Sequence, residues 1–314
     1  MPGPDSVTHG IIDVGSNAIR MYVVSVQGAE VQHLSKRRAP VRLGSYVFDH
    51  GIISEELQTD VLEALRGFQV EFASQGVQRV TAIATSATRE AHNHPELVAR
   101  IRNELGIELS VISGQAEAEL LATAMGTRID ASRGRSLWLD LGGGSVEIVT
   151  VDAESERTGR GSYPLGALRL LRETSTDCPP HGPGFVARLN ECILHFEAEI
   201  RSLVSGPVHR FGAAGGSLVS LERLMRKNDA SLDAGDGIRL LELNRLTEWL
   251  DLLANRTCAQ RMSEFDLPPD RADTIVPAAA VTVCIAKIAD IAEVLVPDVD
   301  LKDALVEQLR NPAR

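Results

Sequence analysis

Cysteine is scarce in this chain: Cys178, Cys192, Cys258 and Cys284 are all it has, and they show neither CxxC spacing nor the density of a disulfide scaffold. The natural reading is four buried thiols in a reducing cytoplasm. A long hydrophobic run is also missing. The longest apolar stretch, Ile275 to Ala286, contains Pro277 and Thr282 and soon meets Lys287 and Asp290, well short of the roughly 20 residues that span a bilayer. It reads as a buried helix. Met1 to Gly10 lacks the basic and apolar regions of an export signal, so a cytoplasmic protein with no membrane partner is expected. Positive charge is in deficit, with 32 Lys plus Arg against 43 Asp plus Glu and a formal net charge of −11. That excludes DNA or RNA and an anionic membrane surface as the main partner. Finally, there is no GxxxxGK[ST] and no complete GxGxxG, which disfavours the P-loop and Rossmann solutions.

What is present is globular in composition, 44% hydrophobic and 24% charged over 314 residues. That length fits two domains of about 150 residues better than one core. Ile11 to Val14, Met21 to Val26 and Val31 to Leu34 predict three consecutive strands. Leu57, Val61, Leu65, Phe68 and Phe72 recur at helical spacing between a Ser54 cap and Gly76. A strand over Val80 to Ala84, a helix over Pro95 to Leu105 closed by Gly106, a strand over Leu109 to Ile112, and a helix capped by Ser113 and running to about Met125 follow.

After the polar stretch 128–135 the pattern begins again, with strands over Ser136 to Leu141, Val146 to Val151 and Arg160 to Tyr163. Single helices are then expected over Gly166 to Arg172, Phe185 to Leu203, Ser217 to Arg226, Glu242 to Ala254 and Arg271 to Val294, with a strand at Val208 to Phe211. Asp13-Val-Gly15-Ser16 and Asp140-Leu-Gly142-Gly143-Gly144-Ser145 each put an acid at a strand end, then glycines and a serine. Each opens a strand-rich half, which predicts duplicated domains with a boundary at 1–128 and 129–314 and room for the last helix to pack back on the first.

Glycines at such a turn let backbone N–H groups converge on an anion, and a serine hydroxyl adds a donor, so both loops are candidate phosphate cradles. The plain alternative for either loop alone is a tight hairpin with a turn-stabilising Asp. Asp140 ends an apolar strand and Glu147 lies where a hairpin would bring the next strand back past the turn. Two carboxylates there would suit Mg²⁺, which takes oxygen ligands; otherwise Glu147 is an exposed strand residue. Arg89, after Thr85-Ser-Ala87-Thr88, is placed to neutralise a transferred phosphoryl group or to make a surface ion pair. Glu117 falls in the first turn of a helix, where an acid either complements the helix dipole or acts as a general base on water. Spacing does not choose between the two.

Taken together, Asp13-Val-Gly15-Ser16-Asn17, Arg42-Leu43-Gly44, Thr85-Ser-Ala87-Thr88-Arg89-Glu90-Ala91, Ile112-Ser113-Gly114 with Glu117-Ala118, Asp140-Leu-Gly142-Gly143-Gly144-Ser145-Val-Glu147, Pro164-Leu165-Gly166-Ala167 and Gly212-Ala-Ala-Gly215-Gly216-Ser217 resemble the ordered motifs of the exopolyphosphatase and guanosine pentaphosphate phosphatase family. The likeness runs from about residue 10 to 295. It implies an α/β fold of two similar actin/Hsp70/sugar-kinase-like (ribonuclease H-like) domains facing each other across a phosphate-binding cleft. It also implies Glu117 as catalytic base, Arg89 as phosphate contact, and Asp140 with Glu147 as the acidic pair that handles Mg²⁺ or another divalent cation and orients water. Asp13, Gly15, Ser16 and Asn17 from one half, and Gly142, Gly143, Gly144 and Ser145 from the other, would grip phosphate. The basic run Lys36, Arg37, Arg38 and Arg42 would guide a polyanion inward or simply line a solvated strand edge.

The chain departs from the family at Ala18, usually Ser or Thr, at Ala116, commonly an acid, and at Pro277-Ala278-Ala279, where the family has Pro-Gly or Gly-Gly. Longer relatives add helical domains beyond this region, so a short two-domain form is expected, and the resemblance implies a homodimer. The implied activity is release of orthophosphate from inorganic polyphosphate. Removal of the terminal phosphate of guanosine pentaphosphate is the enzymatic alternative. A non-hydrolytic sensor of polyphosphate or alarmone is the alternative of another class, and a sugar kinase or other ATPase of the same fold is a third possibility that fits the motifs less well.

Overall fold

Apolar alternation and turn chemistry build the chain from its first described residue. The structure is a computed structural model that describes residues 6–28, 30–132, 134–154, 156–175, 179–228 and 238–310. It divides into two compact units, Met1–Glu117 with Leu301–Arg314, and Ala118–Asp300, so the division falls inside a helix.

In the first unit, β1 (Val7–Val14), β2 (Ile19–Gln27) and β3 (Glu30–Ala39) form an antiparallel meander. Then come α1 (Gly44–His50), α2 (Glu55–Ser74), β4 (Arg79–Ala84), α3 (Ser86–Glu90), α4 (His94–Leu105) and β5 (Leu109–Val111). The sheet order is β3-β2-β1-β4-β5, with β1, β4 and β5 parallel. Ile12, Val14, Ile19, Met21 and Val23 share one face and form a core with Val61, Leu62, Leu65, Phe68 and Phe72 of α2. Ser54 caps α2 by accepting from the Leu57 N–H at 3.3 Å, as its position before the apolar spacing predicts. β3 is a polar edge strand, and its exposed Lys36 and Arg37 have local partners: Lys36 lies 5.2 Å from the Tyr22 ring centroid, and Arg37 pairs with Glu71 at 2.7 Å.

α5 (Gly114–Gly126) leads into the second unit. The described elements that follow are β6 (Ser136–Leu141), β7 (Val146–Val151), β8 (Arg157–Tyr163), α6 (Ala167–Thr174), α7 (Pro183–Leu194), α8 (Glu197–Val204), β9 (Arg210–Ala214), α9 (Gly216–Asn228), β10 (Arg239–Glu242), α10 (Leu243–Ala254), α11 (Cys258–Phe265), α12 (Pro269–Ala272), α13 (Ile275–Ile288) and β11 (Glu293–Val296). The sheet order is β10-β11-β9-β6-β7-β8. β6, β7 and β8 form an antiparallel meander, and β9 and β11 lie parallel beyond β6. Apart from β10, an added antiparallel edge strand in the second unit, the two units pair their strands in the same scheme, which is the α/β duplication expected of actin-like domains. The last described helix, α14 (Leu301–Arg310), returns to the first unit and packs on β1 and β2.

Two expected helices are each broken. Phe185 to Leu203 is α7 and α8, separated at His195 and Phe196. Arg271 to Val294 is α12, α13 and the strand β11. The chain leaves α13 through Asp290 at φ 53°, a left-handed conformation that Asp tolerates better than most residues. The thiols also differ from expectation. Among the described residues, Cys192, Cys258 and Cys284 form no disulfide and are only partly buried, and Cys178 lies outside the described residues. The apolar stretch Ile275 to Ala286 is the buried helix α13, and no helix among the described residues is long and apolar enough to cross a membrane.

Candidate active site

In the first unit the motifs converge on the β1–β2 turn. Asp13 lies opposite Arg20 in the ladder, and the two form an ion pair at 2.9 Å. The Gly15 N–H donates to the Ala18 carbonyl at 3.2 Å, leaving Ser16 and Asn17, both buried, at the corner. Ala18, the departure from the family pattern, supplies that carbonyl from a buried position. The Ser16 hydroxyl accepts from the Ala87 N–H at 3.2 Å, the Ser16 carbonyl accepts from Gly44 N–H at 2.9 Å, and Thr85 N–H donates to Val14 O at 3.2 Å. Segments far apart in sequence are thereby tied to one turn. Arg89, at the end of α3, donates through Nη1 to Ile112 O at 2.9 Å and to Glu117 Oε2 at 3.0 Å. Arg89 does form an ion pair, but with the buried carboxylate of the candidate base, not with a solvent-exposed acid. Glu117 lies in the first turn of α5, where Ser113 caps the Ala116 N–H at 3.2 Å.

In the second unit the strands do the positioning. Asp140 and Glu147 are directly opposed in the β6–β7 ladder, so their side chains emerge on the same face. Glu147 is fully buried, which rules out the exposed-strand alternative, and its Oε1 accepts from the Ser162 hydroxyl at 2.7 Å across the β7–β8 ladder. Gly142, Gly143, Gly144 and Ser145 make the turn between these strands, closed by Gly142 N–H to Ser145 O at 3.1 Å. Gly166 lies against this turn so closely that a Cβ on it would come within 2.3 Å of the Gly144 backbone carbon.

Residues 22–310 match the model of the Ppx/GppA phosphatase family. The chain belongs to the Ppx/GppA phosphatase family. It is 33% identical over 277 residues to a Mycobacterium tuberculosis protein named exopolyphosphatase 1, covering 87% of this chain and 79% of that one. The Mycobacterium leprae protein of the same name is 32% identical over 277 residues, with 87% and 80% covered. Among solved structures, an exopolyphosphatase from Cytophaga hutchinsonii superposes with a TM-score of 0.86 at 23% identity, covering 98% of this chain and 99% of that one. The Aquifex aeolicus Ppx/GppA family member does so with a TM-score of 0.80 at 23% identity, with 98% and 99% covered. The fold is therefore that of the Ppx/GppA proteins, two actin-like α/β domains.

Some contacts in and beside the Ppx/GppA motifs escape a reading by spacing. Gly215 has φ 133°, and a Cβ there would stand 2.4 Å from Leu141 O, so only glycine fits between β9 and α9. Next to it, Ser217 Oγ lies 3.2 Å from Thr274 Oγ1, and Arg271 Nη1 donates to Ser217 Oγ at 3.4 Å. Arg169 is buried beneath the Gly142–Ser145 turn and donates from Nε to Gly144 O at 2.8 Å. Its one sequence signal is a cation in the first turn of a helix, where the dipole favours an acid.

Among the described residues no group of three or more His, Cys, Asp or Glu could hold a metal by itself. Asp140 and Glu147 offer two carboxylates on one face beside a phosphate-type turn. That suits Mg²⁺, which commonly takes one or two carboxylates and completes its shell with water and substrate phosphate.

Proposed function

We propose that this chain is a divalent-cation-dependent exopolyphosphatase. Water attacks the terminal phosphorus of inorganic polyphosphate, the P–O bond to the bridging oxygen breaks, and orthophosphate leaves while the shortened chain keeps that oxygen as its new terminus. In this reading Glu117 accepts the proton of the attacking water. Arg89, bonded to Glu117 at 3.0 Å, holds that carboxylate in one orientation and offers its remaining guanidinium N–H groups to phosphate oxygens. The turn with Asp13, Gly15, Ser16 and Asn17, and the turn with Gly142, Gly143, Gly144 and Ser145, bind phosphate through backbone N–H and hydroxyl donors. Asp140 and Glu147 would hold Mg²⁺ or another divalent cation, which when bound supplies positive charge against the phosphate oxygens. The observation that carries the reading is the register that sets Asp140 against Glu147 at the mouth of a glycine turn. The mycobacterial relatives bear the exopolyphosphatase name, which favours polyphosphate over guanosine pentaphosphate as substrate. The homodimer implied by the resemblance belongs to the same reading, and light scattering checks it.

The test is phosphate release from long-chain polyphosphate, tripolyphosphate, guanosine pentaphosphate and ATP, with Mg²⁺ and with excess chelator. The wild type releases phosphate from polyphosphate with Mg²⁺ and stops with chelator. Glu117→Gln loses about 10²- to 10⁴-fold in rate, the usual contribution of a positioned base, and still binds substrate. Equal rates for variant and wild type reject Glu117 as the base. Faster release from guanosine pentaphosphate than from polyphosphate moves the substrate to that alternative, and tight binding with no release from any of the four makes the protein a sensor.

A further inference from the structure

α5 carries the candidate base in its first turn and is gripped by the second unit immediately afterwards. Glu117 closes the first stretch of the first unit, and Ala118 opens the second. Glu119, two residues past the base and so about 200° further round the helix, takes ion pairs from both Arg157 and Arg160 of the edge strand β8. One turn on, Thr123 shares the Glu119 face. Its Oγ1 accepts from Arg157 Nη2 at 3.2 Å and donates to Glu119 O at 3.0 Å. Glu119, Thr123, Arg157 and Arg160 therefore fasten one face of α5 to one strand.

Local backbone geometry makes the double grip possible. Residues three apart on a regular strand point to opposite faces, yet both arginines reach α5. The β7–β8 ladder slips between Thr150 and Val151, with Thr150 opposite Gly159 and Val151 opposite Arg157. Thr158 is the extra residue of a bulge, and its hydroxyl donates to Thr150 Oγ1 at 3.0 Å and to Thr150 O at 3.3 Å. The bulge sets Arg157 beside Val151 and Arg160 beside Val149, on the face that also carries Glu147 and Ser162. Two guanidiniums brought so close repel one another: burial, and next the Arg160 charge, lower the Arg157 pKa. The carboxylate they share offsets that repulsion. Ser162, two residues from Arg160, donates to Glu147 Oε1 at 2.7 Å. One face of β8 thus holds a proposed metal acid and also the helix that carries the proposed base.

We infer that Glu119 is a positioning residue for Glu117: by way of Arg157 and Arg160 it fixes α5 to β8, and with the helix it fixes where the base carboxylate stands. The side chains of Glu119, Arg157 and Arg160 are 32%, 41% and 47% exposed, and ion pairs open to water add little to stability. Placement is more sensitive, since a displacement of about 1 Å at a reacting group costs up to about 10²-fold in rate. The effect therefore falls on the chemical step and not on phosphate binding. The inference rests on the proposed role of Glu117 as base.

The experiment measures steady-state kinetics on polyphosphate, tripolyphosphate affinity by calorimetry and the thermal midpoint. It uses the full chain, Glu119→Gln and the double variant Arg157→Gln/Arg160→Gln, each in the wild-type and Glu117→Gln backgrounds. In the wild-type background both changes are expected to lower kcat by about tenfold, with KM and tripolyphosphate affinity within about threefold and the thermal midpoint within a few degrees. Residues that act through one another are not additive, so either change is expected to cost less than about twofold once Glu117 is Gln. Wild-type kcat in Glu119→Gln overturns the inference. So does an equal tenfold loss in the Glu117→Gln background, because the effect then bypasses the base. A lowered thermal midpoint with weakened tripolyphosphate binding overturns it too, as the mark of a purely structural role. Glu117→Gln separates the two levels. If it is slow while Glu119→Gln is normal, the inference alone fails. If Glu117→Gln turns over as wild type, Glu117 is not the base and the inference falls with that reading.

Discussion

His9 shows how one residue's surroundings set its chemistry. It is buried in β1, on the sheet face opposite the α2 core, and lies opposite Arg79 of β4 in the ladder. Burial, and next the Arg79 charge, push its pKa below the ordinary 6.5. The folded state therefore binds a proton less readily than the unfolded state. Stability is complete above about pH 6.5 and is lost as pH falls from there through the folded value. Urea midpoints measured at about pH 7.5 and about pH 5.5 are expected to drop in acid for the wild type and to drop less for His9→Gln. Equal slopes for the two would show that carboxylates alone carry the acid sensitivity. At this scale the sequence reveals acids at strand ends and at a helix start, because Asp140 and Glu147 interrupt apolar runs on either side of a glycine turn and Glu117 follows the Ser113 cap. It does not reveal the contact of Arg169 with Gly144 O, a carbonyl from a turn far earlier in the chain.

Among elements, the junction of β6–β7 with α6 is the most tightly constrained. Gly166 has φ −63°, which any residue adopts, so glycine is there for space and not for backbone freedom. Gly166→Ala would drive a methyl group to 2.3 Å from the Gly144 carbon and 2.4 Å from its nitrogen. Backbone must then separate from backbone. The expected result is a loss of about 1–3 kcal/mol in stability, typical of overpacking, together with weaker tripolyphosphate binding, read by denaturant unfolding and calorimetry. Gly67→Ala, in α2 with open space around the added Cβ, is the control and is expected to be neutral or stabilising. The elements that are legible in sequence are those with local punctuation. β6 and β7 end at the bounds that their apolar runs and glycine turn predict. Illegible are the breaks without Gly or Pro. Ile193, Phe196 and Ile200 keep helical spacing across the α7–α8 junction, so periodicity alone joins the two helices. Asp290 ends α13 by a left-handed turn that composition does not announce, and β11 is a strand because β9 and β10 flank it.

At the scale of the whole molecule, the path of the chain matters most. It leaves the first unit within α5, builds the second, and returns as α14. Ile11 and Tyr22 are paired in the β1–β2 ladder on the face away from α2, and Lys302 of α14 lies 5.2 Å from the Tyr22 ring centroid. With Leu301, Ala304, Leu305 and Val306 buried, α14 supplies apolar cover for that face. Ending the chain at Asp300 is expected to lower the thermal midpoint and to speed amide exchange in β1 and β2 while leaving β6 and β7 protected; uniform exchange across both sheets would show that the units unfold as one. Such a closure also gives the molecule a calendar. On the ribosome, the strands of the first sheet are made early, whereas the helix that hides one side of them is made only after the whole intervening unit has emerged. For that interval an incomplete β-surface stands open to neighbouring nascent chains, and the pace of translation through the second unit sets how long the cell must shelter it.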